Sequence, residues 1–521
     1  MLEKYLDKKF FTLFLLPFII GSITVFSFQP FNLTFVNFIV LPIFFYLIIH
    51  IKKKSKSKFR KRPFRRNLFI FGVSFGFGFY LSGTHWISNS LTFDENFRIL
   101  IPFALLLIPL FLSLFFAIVT VLIGPYLNLN FGSIFLFSGT LAVSDYLRAK
   151  ILTGFPWNLW SYSLSWATEV LQILDLVGIF AFNLIIITLF MLPAILFLRI
   201  NILKKIFLLG LLPLIFLILY IYGNHSINQN YRLLKFNQEK FNIKIISPNF
   251  KLNYGLSEED IEDRLKKLIR FSAPEKNSKV IYIWPEGVFS GYNFSQINKF
   301  KKIFLENFDD KHLILFGVNN FEIETGKVFN SLVVVDNNLE ILREYRKQKL
   351  VPFGEFLPFE KILSNFGLKK ITEGYGSFSK GKKQNNIEIE NMSILPLICY
   401  ELIFAEFVQQ SPQKTNLIVN ISEDGWFGNS IGPYQHFAKG IFRAIEQNSY
   451  LVRSANKGIS AIINNKGEVI KKLNIHESGN IDLEVPLIRS KNKNKNDLIF
   501  FILLFTYILI FKYYEKINVK Q

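Results

Sequence analysis

Three short segments carry side chains that could act together on a carbonyl. Leu-Ile-Cys-Tyr-Glu holds Cys399, the single cysteine in 521 residues. Val280 to Glu286 is an apolar run that ends in Trp-Pro-Glu, and Tyr345-Arg-Lys brings Lys347. A lone thiol cannot form an intramolecular disulfide or join a multi-cysteine metal cage. Cys399 is therefore either a small buried hydrophobe or a nucleophile. If a nucleophile, the thiolate attacks an acyl carbon, a carboxylate such as Glu286 moves the proton, and an ammonium such as Lys347 steadies the oxyanion. Each segment also has a plainer reading: a solvated loop acid, surface lysines, a core thiol. Spacing alone does not choose between Lys347 and Lys349.

The positions of these residues in the pattern favour chemistry. Glu286 and Cys399 each stand where an apolar strand stops, the end at which α/β proteins build sites. The residues after Cys399 are helix-compatible, and a helix start beside an ammonium predicts a thiol of lowered pKa. Candidate strands are Phe241–Ser247, Val280–Trp284, Leu313–Val318, Ser331–Val335, Ser393–Ile398, Leu417–Ile421, Tyr450–Ala455 and Ser460–Ile463. Between the first two, Ser257-Glu-Glu-Asp260 reads as a capping box opening a helix to about Phe271. Tyr434–Asn448 reads as a second helix with Phe437, Ile441, Phe442 and Ile445 on its apolar face. Alternation over this stretch predicts an α/β domain.

The remainder of the chain is apolar in long runs. Half the residues are hydrophobic, 60 of them Phe. The runs Phe10–Phe28, Phe31–Ile51, Asn67–Ser82, Ile99–Ile123, Phe131–Leu147, Val170–Phe197, Ile206–Tyr222 and Leu498–Phe511 predict about eight transmembrane helices, seven before the polar block and one after it. The first run is expected to stay as an anchor, since no small-x-small cleavage site follows it. Ten Lys/Arg between Lys52 and Arg66 put that loop in the cytoplasm. Counting spans then puts Lys4, Lys8, Lys9, the Arg199–Lys205 turn and the basic tail on the same side, and residues 223–496 outside it. The predicted organisation is a transmembrane bundle at 1–222, an extracytoplasmic catalytic domain at 223–496, and a C-terminal helix with a cytoplasmic tail at 497–521.

The net charge of +21 sits largely in loops flanking the spans and in Lys491–Lys495, where anionic headgroups are the natural partner. No nucleic-acid motif is present, so no nucleic-acid partner is expected. Six scattered histidines predict no metal site.

Taken together, the three segments resemble the nitrilase superfamily of carbon–nitrogen hydrolases and, within it, the apolipoprotein N-acyltransferase family. Thr153-Gly-Phe-Pro-Trp157, Val351-Pro-Phe-Gly-Glu355 and Trp426-Phe-Gly-Asn-Ser-Ile-Gly-Pro433 extend the likeness over essentially the whole chain. The resemblance implies a membrane α-helical bundle plus an extracytoplasmic αββα sandwich. It assigns Cys399 as nucleophile, Glu286 as general base and Lys347 as cationic stabiliser. Lys347 is preferred to Lys349 because Tyr-x-Lys eight residues before Glu355 matches the family.

Supporting positions are Glu355, which would orient Lys347, and Tyr400 and Glu401, which would shape the site; Glu401 could equally cap the following helix. Gly287 and Val288 depart from the small polar or alanine residues of many relatives. The pair Glu423–Asp424 receives no role. The implied reaction takes an acyl chain from a phospholipid onto Cys399 and passes it to the α-amine of a diacylated apolipoprotein. It uses no cofactor, in a monomer of a bacterial inner membrane, with the catalytic domain in the periplasm. Residues Phe353–Ser379, rich in aromatics, are expected to form arms dipping toward the bilayer. A membrane-tethered amidase shares the chemistry but needs one span rather than eight. A transporter predicts ionisable residues inside the spans, where the sequence has few.

Overall fold

The computed structural model describes residues 6, 8–58, 61–235, 239–253, 255–363, 377–384, 386–411, 415–488 and 497–520. Lys4, Lys491–Lys495 and residues 364–376 of the expected aromatic arms lie outside the described residues. The chain divides into two units: Met1–Asn89, Arg98–Ser226 and Lys495–Gln521 form the first, Ser90–Phe97 and Ile227–Asn494 the second.

The first unit is helical. Its longer helices are α1 (Leu16–Ile23), α2 (Asn37–Lys58), α3 (Lys61–Thr84), α4 (Ile101–Ile123), α5 (Phe131–Lys150), α6 (Leu174–Met191), α7 (Ile202–Leu234) and, at the far end of the sequence, Leu498–Lys520. Among the described residues six helical stretches are long and apolar enough to cross a membrane: Thr34–Lys54, Phe64–Thr92, Glu95–Ile123, Leu174–Phe197, Ile202–Leu234 and Leu498–Lys516. The expectation of about eight is thereby corrected to six. Phe11–Ser27 is too short and is divided into π, α and 3-10 turns around Pro17. α5 has the length, but Asp145, Arg148 and Lys150 in its last turns lower its apolarity.

Small residues set the packing. A Cβ on Gly72 would lie 2.6 Å from the Ala117 Cα, and one on Gly76 would lie 2.7 Å from the Ser113 Cα, so α3 and α4 meet backbone to backbone. Phe44, Phe71, Phe75 and Phe116 stack against this seam. Asp145 and Arg148, at the edge of a run by sequence, are buried and paired at 2.8 Å. Asn183 donates to the other Asp145 oxygen at 2.9 Å, so neither charge is left uncompensated.

The second unit is a two-sheet sandwich. Its strands are β1 (Lys240–Ser247), β2 (Val280–Ile283), β3 (His312–Glu322), β4 (Lys327–Val335), β5 (Ile341–Arg346), β6 (Ile387–Ile389), β7 (Met392–Ile398), β8 (Leu417–Glu423), β9 (Tyr450–Asn456), β10 (Ser460–Ile463), β11 (Val469–Leu473) and β12 (Gly479–Pro486). One sheet has the order β12-β1-β2-β3-β4-β5 and the other β11-β10-β9-β8-β7-β6. In each the middle is parallel, β1-β2-β3 and β7-β8-β9. Of these, β2 and β7 are buried along their whole length and read as nearly unbroken apolar runs.

Ile243, Ile245, Ile283 and Val334 of one sheet meet Ile394, Ile398, Val419 and Val452 of the other in the central core. Helix α8 (Glu258–Ser272) covers the outside of the first sheet with Ile261, Leu265 and Leu268. Ser257 and Asp260 form the capping box at its start. Helix α9 (Gly432–Gln447) buries Ala438, Ile441, Phe442 and Ile445, completing an αββα arrangement. β5, β6, β11 and β12 lie at or next to sheet edges, and the exposed residues in each interrupt the apolar pattern.

Candidate active site

Glu286 stands three residues beyond β2, Lys347 directly after β5, and Cys399 directly after β7. The two sheets face each other, so these three ends converge. Lys347 is 1% exposed, and its Nζ donates to Glu355 Oε1 at 2.9 Å and Glu286 Oε1 at 3.4 Å. Asn330, on β4, donates through Nδ2 to Glu286 Oε1 at 2.7 Å and Glu355 Oε1 at 2.8 Å. The Glu355 Oε2 accepts from the Val351 N–H at 2.8 Å, which fixes the loop carrying it. Lys349, by contrast, pairs with Glu406 at 3.0 Å. Of the two lysines, Lys347 is the one among the carboxylates.

Cys399 is half-buried and has φ +48°. A non-glycine residue in the left-handed region is uncommon, and such positions cluster at functional sites. Cys399 opens a 3-10 turn, Cys399–Ile403, rather than an α-helix. The expected lowering of the thiol pKa is not found. Burial pushes the thiol up and the Glu286 and Asp424 carboxylates add to this; together they outweigh Lys347 and the Ser422 hydrogen bond. The ammonium beside it stays charged. Burial works against it, but Glu286 and Glu355 hold the Lys347 pKa well above the usual lysine value. The resting site thus holds a thiol and an ammonium beside Glu286 and Glu355, an arrangement suited to attack by sulfur with proton transfer to a neighbouring base.

Glu401 does more than cap a turn. Its Oε2 accepts from the Ile398 N–H at 2.8 Å, and its Oε1 from Gln348 N at 2.7 Å, Lys349 N at 3.1 Å and Tyr345 Oη at 3.0 Å. One buried side chain so ties the Cys399 turn to the lysine loop. Burial lifts its pKa to about 7 against those donors. Tyr400 packs edge-on to Phe404, its phenol pKa raised by burial.

The Glu423–Asp424 pair, unassigned from sequence, belongs to the site. The Glu423 N–H donates to Glu286 Oε2 at 3.0 Å, and its side chain accepts from Asn456 Nδ2 at 2.7 Å and Gly425 N at 2.8 Å. Burial lifts the Glu423 pKa from 4.5 to about 8, despite the Asn456 and Gly425 hydrogen bonds, with Glu286 and Asp424 adding to the rise. Between these values the folded state binds a proton that the unfolded state has lost, so stability falls as pH rises through that window. Glu423→Gln is expected to remove this slope. Relative to the variant, the wild type should lose on the order of 2–4 kcal/mol between pH 5 and pH 8.5, read by thermal unfolding.

Asp424 Oδ1 accepts from Ser422 Oγ at 2.7 Å and Oδ2 from Arg453 Nη2 at 2.6 Å. Although burial opposes it, Arg453 and His436 hold its pKa well below the usual carboxylate range. Asn330, Asn420, Arg453, Asn456 and His436 were not singled out by the sequence; the available signal was a polar residue interrupting a buried strand for the first four, and a histidine in the first turns of α9 for the last.

Gly317 on β3 is a further unforeseen constraint. A Cβ there would lie 2.8 Å from the Glu286 Cα and 3.0 Å from Ile421 Cδ1. Gly317→Ala must displace the Glu286 backbone and is expected to slow acylation of Cys399 by a reactive ester by about a hundredfold, measured by single-turnover mass spectrometry. Among the described residues no group of three or more His, Cys, Asp or Glu is placed to hold a metal ion.

The sandwich and the convergence at its strand ends define the class. Residues 252–491 match the family profile described as carbon–nitrogen hydrolase, the nitrilase fold. A Saccharomyces cerevisiae member of branch 10 of the nitrilase superfamily aligns at 15% identity and a TM-score of 0.36, covering 48% of this chain and 91% of that one. Residues 20–192 match the profile described as apolipoprotein N-acyltransferase N-terminal domain. Apolipoprotein N-acyltransferase of Rhodopseudomonas palustris is 30% identical over 481 residues, 89% of this chain and 88% of that one. The Rickettsia typhi protein of the same name is 33% identical, covering 84% and 89%. The chain belongs to the apolipoprotein N-acyltransferase family, acyltransferases of the nitrilase superfamily, and is a multi-pass inner-membrane protein.

Proposed function

We propose that this protein moves an acyl chain from a membrane phospholipid, through a thioester on Cys399, to the α-amine of the S-diacylglyceryl-cysteine that begins an apolipoprotein. Glu286 is the general base, Lys347 the cationic stabiliser and Cys399 the nucleophile. The observation that carries this reading is the buried Lys347 ammonium held between Glu286 and Glu355 and coupled to the only thiol of the chain.

In the first half-reaction the Cys399 sulfur bonds to the ester carbon while Glu286 takes the thiol proton. Lys347 steadies the oxyanion, the ester C–O bond breaks, and the proton leaves with the lysophospholipid. In the second, the amine nitrogen bonds to the thioester carbon, the C–S bond breaks, and Glu286 returns the amine's proton to sulfur. Glu355 with Asn330 orients Lys347, Glu401 fixes the turn that carries Cys399, and Tyr400 adjoins it.

Both substrates are lipid-embedded, and holding the enzyme in the same plane reduces the loss of freedom on bringing them together. The basic Lys52–Arg66 loop supports a cytoplasmic placement for that loop, and with it a periplasmic catalytic domain at 223–496 between the bundle at 1–222 and the tail at 497–521. A monomer suffices, because all the proposed groups come from one chain.

The test is the mass of the Cys399 peptide after incubation with a defined phospholipid and no amine acceptor. A fatty-acyl increment is expected. An unmodified peptide, from protein that hydrolyses small amides, would replace this reading with the tethered amidase.

A further inference from the structure

Backbone groups on three consecutive residues at the end of β7 are each gripped by a buried side chain. The Leu397 carbonyl accepts from Asn420 Nδ2 at 2.8 Å, the Ile398 N–H donates to Glu401 at 2.8 Å, and the Cys399 carbonyl meets His436 Nε2 at 3.1 Å. A carbonyl only accepts, so His436 donates through Nε2. The ring's Nδ1 lies 3.2 Å from Arg453 Nη2. Arg453 is in turn held by the Ile459 carbonyl at 3.1 Å, by Asn420 and by Asp424. Asp424 Oδ1 lies 3.1 Å from the same ring nitrogen, and Phe427 packs on the ring at 5.4 Å. His436, Asp424 and Arg453 are all fully buried.

We infer that His436 is a positioning residue for the proposed nucleophile: its Nε2–H fixes the Cys399 carbonyl and so holds residue 399 in the left-handed conformation that aims its sulfur at the acyl carbon. A left-handed non-glycine residue is disfavoured by its own sterics and persists only where its surroundings over-determine it. Here the surroundings are the His436–Asp424–Arg453–Asn420 network, which grips the chain at residue 399 and again two residues before it. The inference rests on Cys399 as nucleophile but not on the identity of the acyl donor. The plainer alternative is a core histidine that only stabilises the fold.

Because the chain has one cysteine, alkylation by iodoacetamide reports on Cys399 alone. The full-length protein in micelles is compared as wild type, His436→Phe, His436→Gln and His436→Asn. A Gln amide can place an N–H near the Nε2 position, whereas the shorter Asn cannot reach it. His436→Phe and His436→Asn are expected to slow both alkylation and acyl-enzyme formation by about tenfold or more, while His436→Gln stays within about threefold of wild type.

Wild-type alkylation in His436→Phe with a lowered Tm would leave His436 a structural residue only. Should His436→Phe fail to accumulate, the Gln and Asn variants decide, and equal alkylation rates in those two overturn the inference. If wild type forms no acyl-enzyme from phospholipid yet alkylation still follows the Phe, Asn and Gln order, the acyl-transfer reading fails and the positioning role stands.

Discussion

Cys399→Ala is expected to lower acyl transfer by about 10⁴-fold or more, since removing a nucleophile from a covalent route eliminates the step rather than weakening it. No other thiol exists in the chain to substitute. The side chain is half-buried and alanine keeps a Cβ at the strained position, so the loss of stability should be only about 1 kcal/mol. The measurement is transfer of a labelled fatty acid from phospholipid to a diacylglyceryl-cysteine peptide, alongside Tm in the same micelles. Transfer within tenfold of wild type would sink the thioester route. Unfolding of the variant would instead mark Cys399 as a core residue.

Lys347→Met is expected to damage activity and stability together. The methionine fills a similar volume but leaves Glu286 and Glu355, joined through Asn330, with no cation between them. Breaking a buried pair from one side typically costs about 3–5 kcal/mol. Without the ammonium proposed to steady the oxyanion, acyl-enzyme formation should fall by about a thousandfold.

The sign of the pH dependence separates the two proteins. In wild type the Lys347 pKa is raised above its ordinary value of 10.5. Its stabilising contribution is therefore fully present at and below that pH and is lost only as pH climbs past the folded value. The variant lacks this group, so only the wild type should lose stability as pH climbs well past 10.5, read by thermal unfolding on either side of that value. Lys349→Met, removing an outlying pair with Glu406, serves as control and should change transfer less than threefold, as partly exposed ion pairs contribute about 1 kcal/mol or less. Equal losses at positions 347 and 349 would count against the assigned role.

How far the chain could be read depends on which interactions are local. Glu286 and Cys399 were legible because the central parallel strands β2 and β7, buried on both faces, are continuous apolar runs whose ends are visible. The membrane runs were equally visible, since twenty apolar residues need no tertiary context, although the number of spans depended on how each run coiled and where its charges fell. Edge strands such as β11 were missed because an almost wholly exposed strand carries no apolar alternation.

The sequence by itself determined the class of chemistry, through the residue types that close three strand-like segments, and the apolar runs that associate it with a bilayer. Only the tertiary structure decided which lysine meets the carboxylates and that Glu423 and Asp424 belong to the site. It also decided that His436 and Arg453 stand behind Cys399, and that the thiol pKa rises rather than falls. The sequence cues, a helix start after Cys399 and an ammonium from the Tyr345–Lys347 segment, pointed to a thiolate. The opposing influences come from Glu286 and Asp424, more than a hundred residues and 25 residues away along the chain, and from burial. A buried charge responds to whatever the fold sets within a few ångströms of it, and sequence neighbours are only a small part of that surrounding.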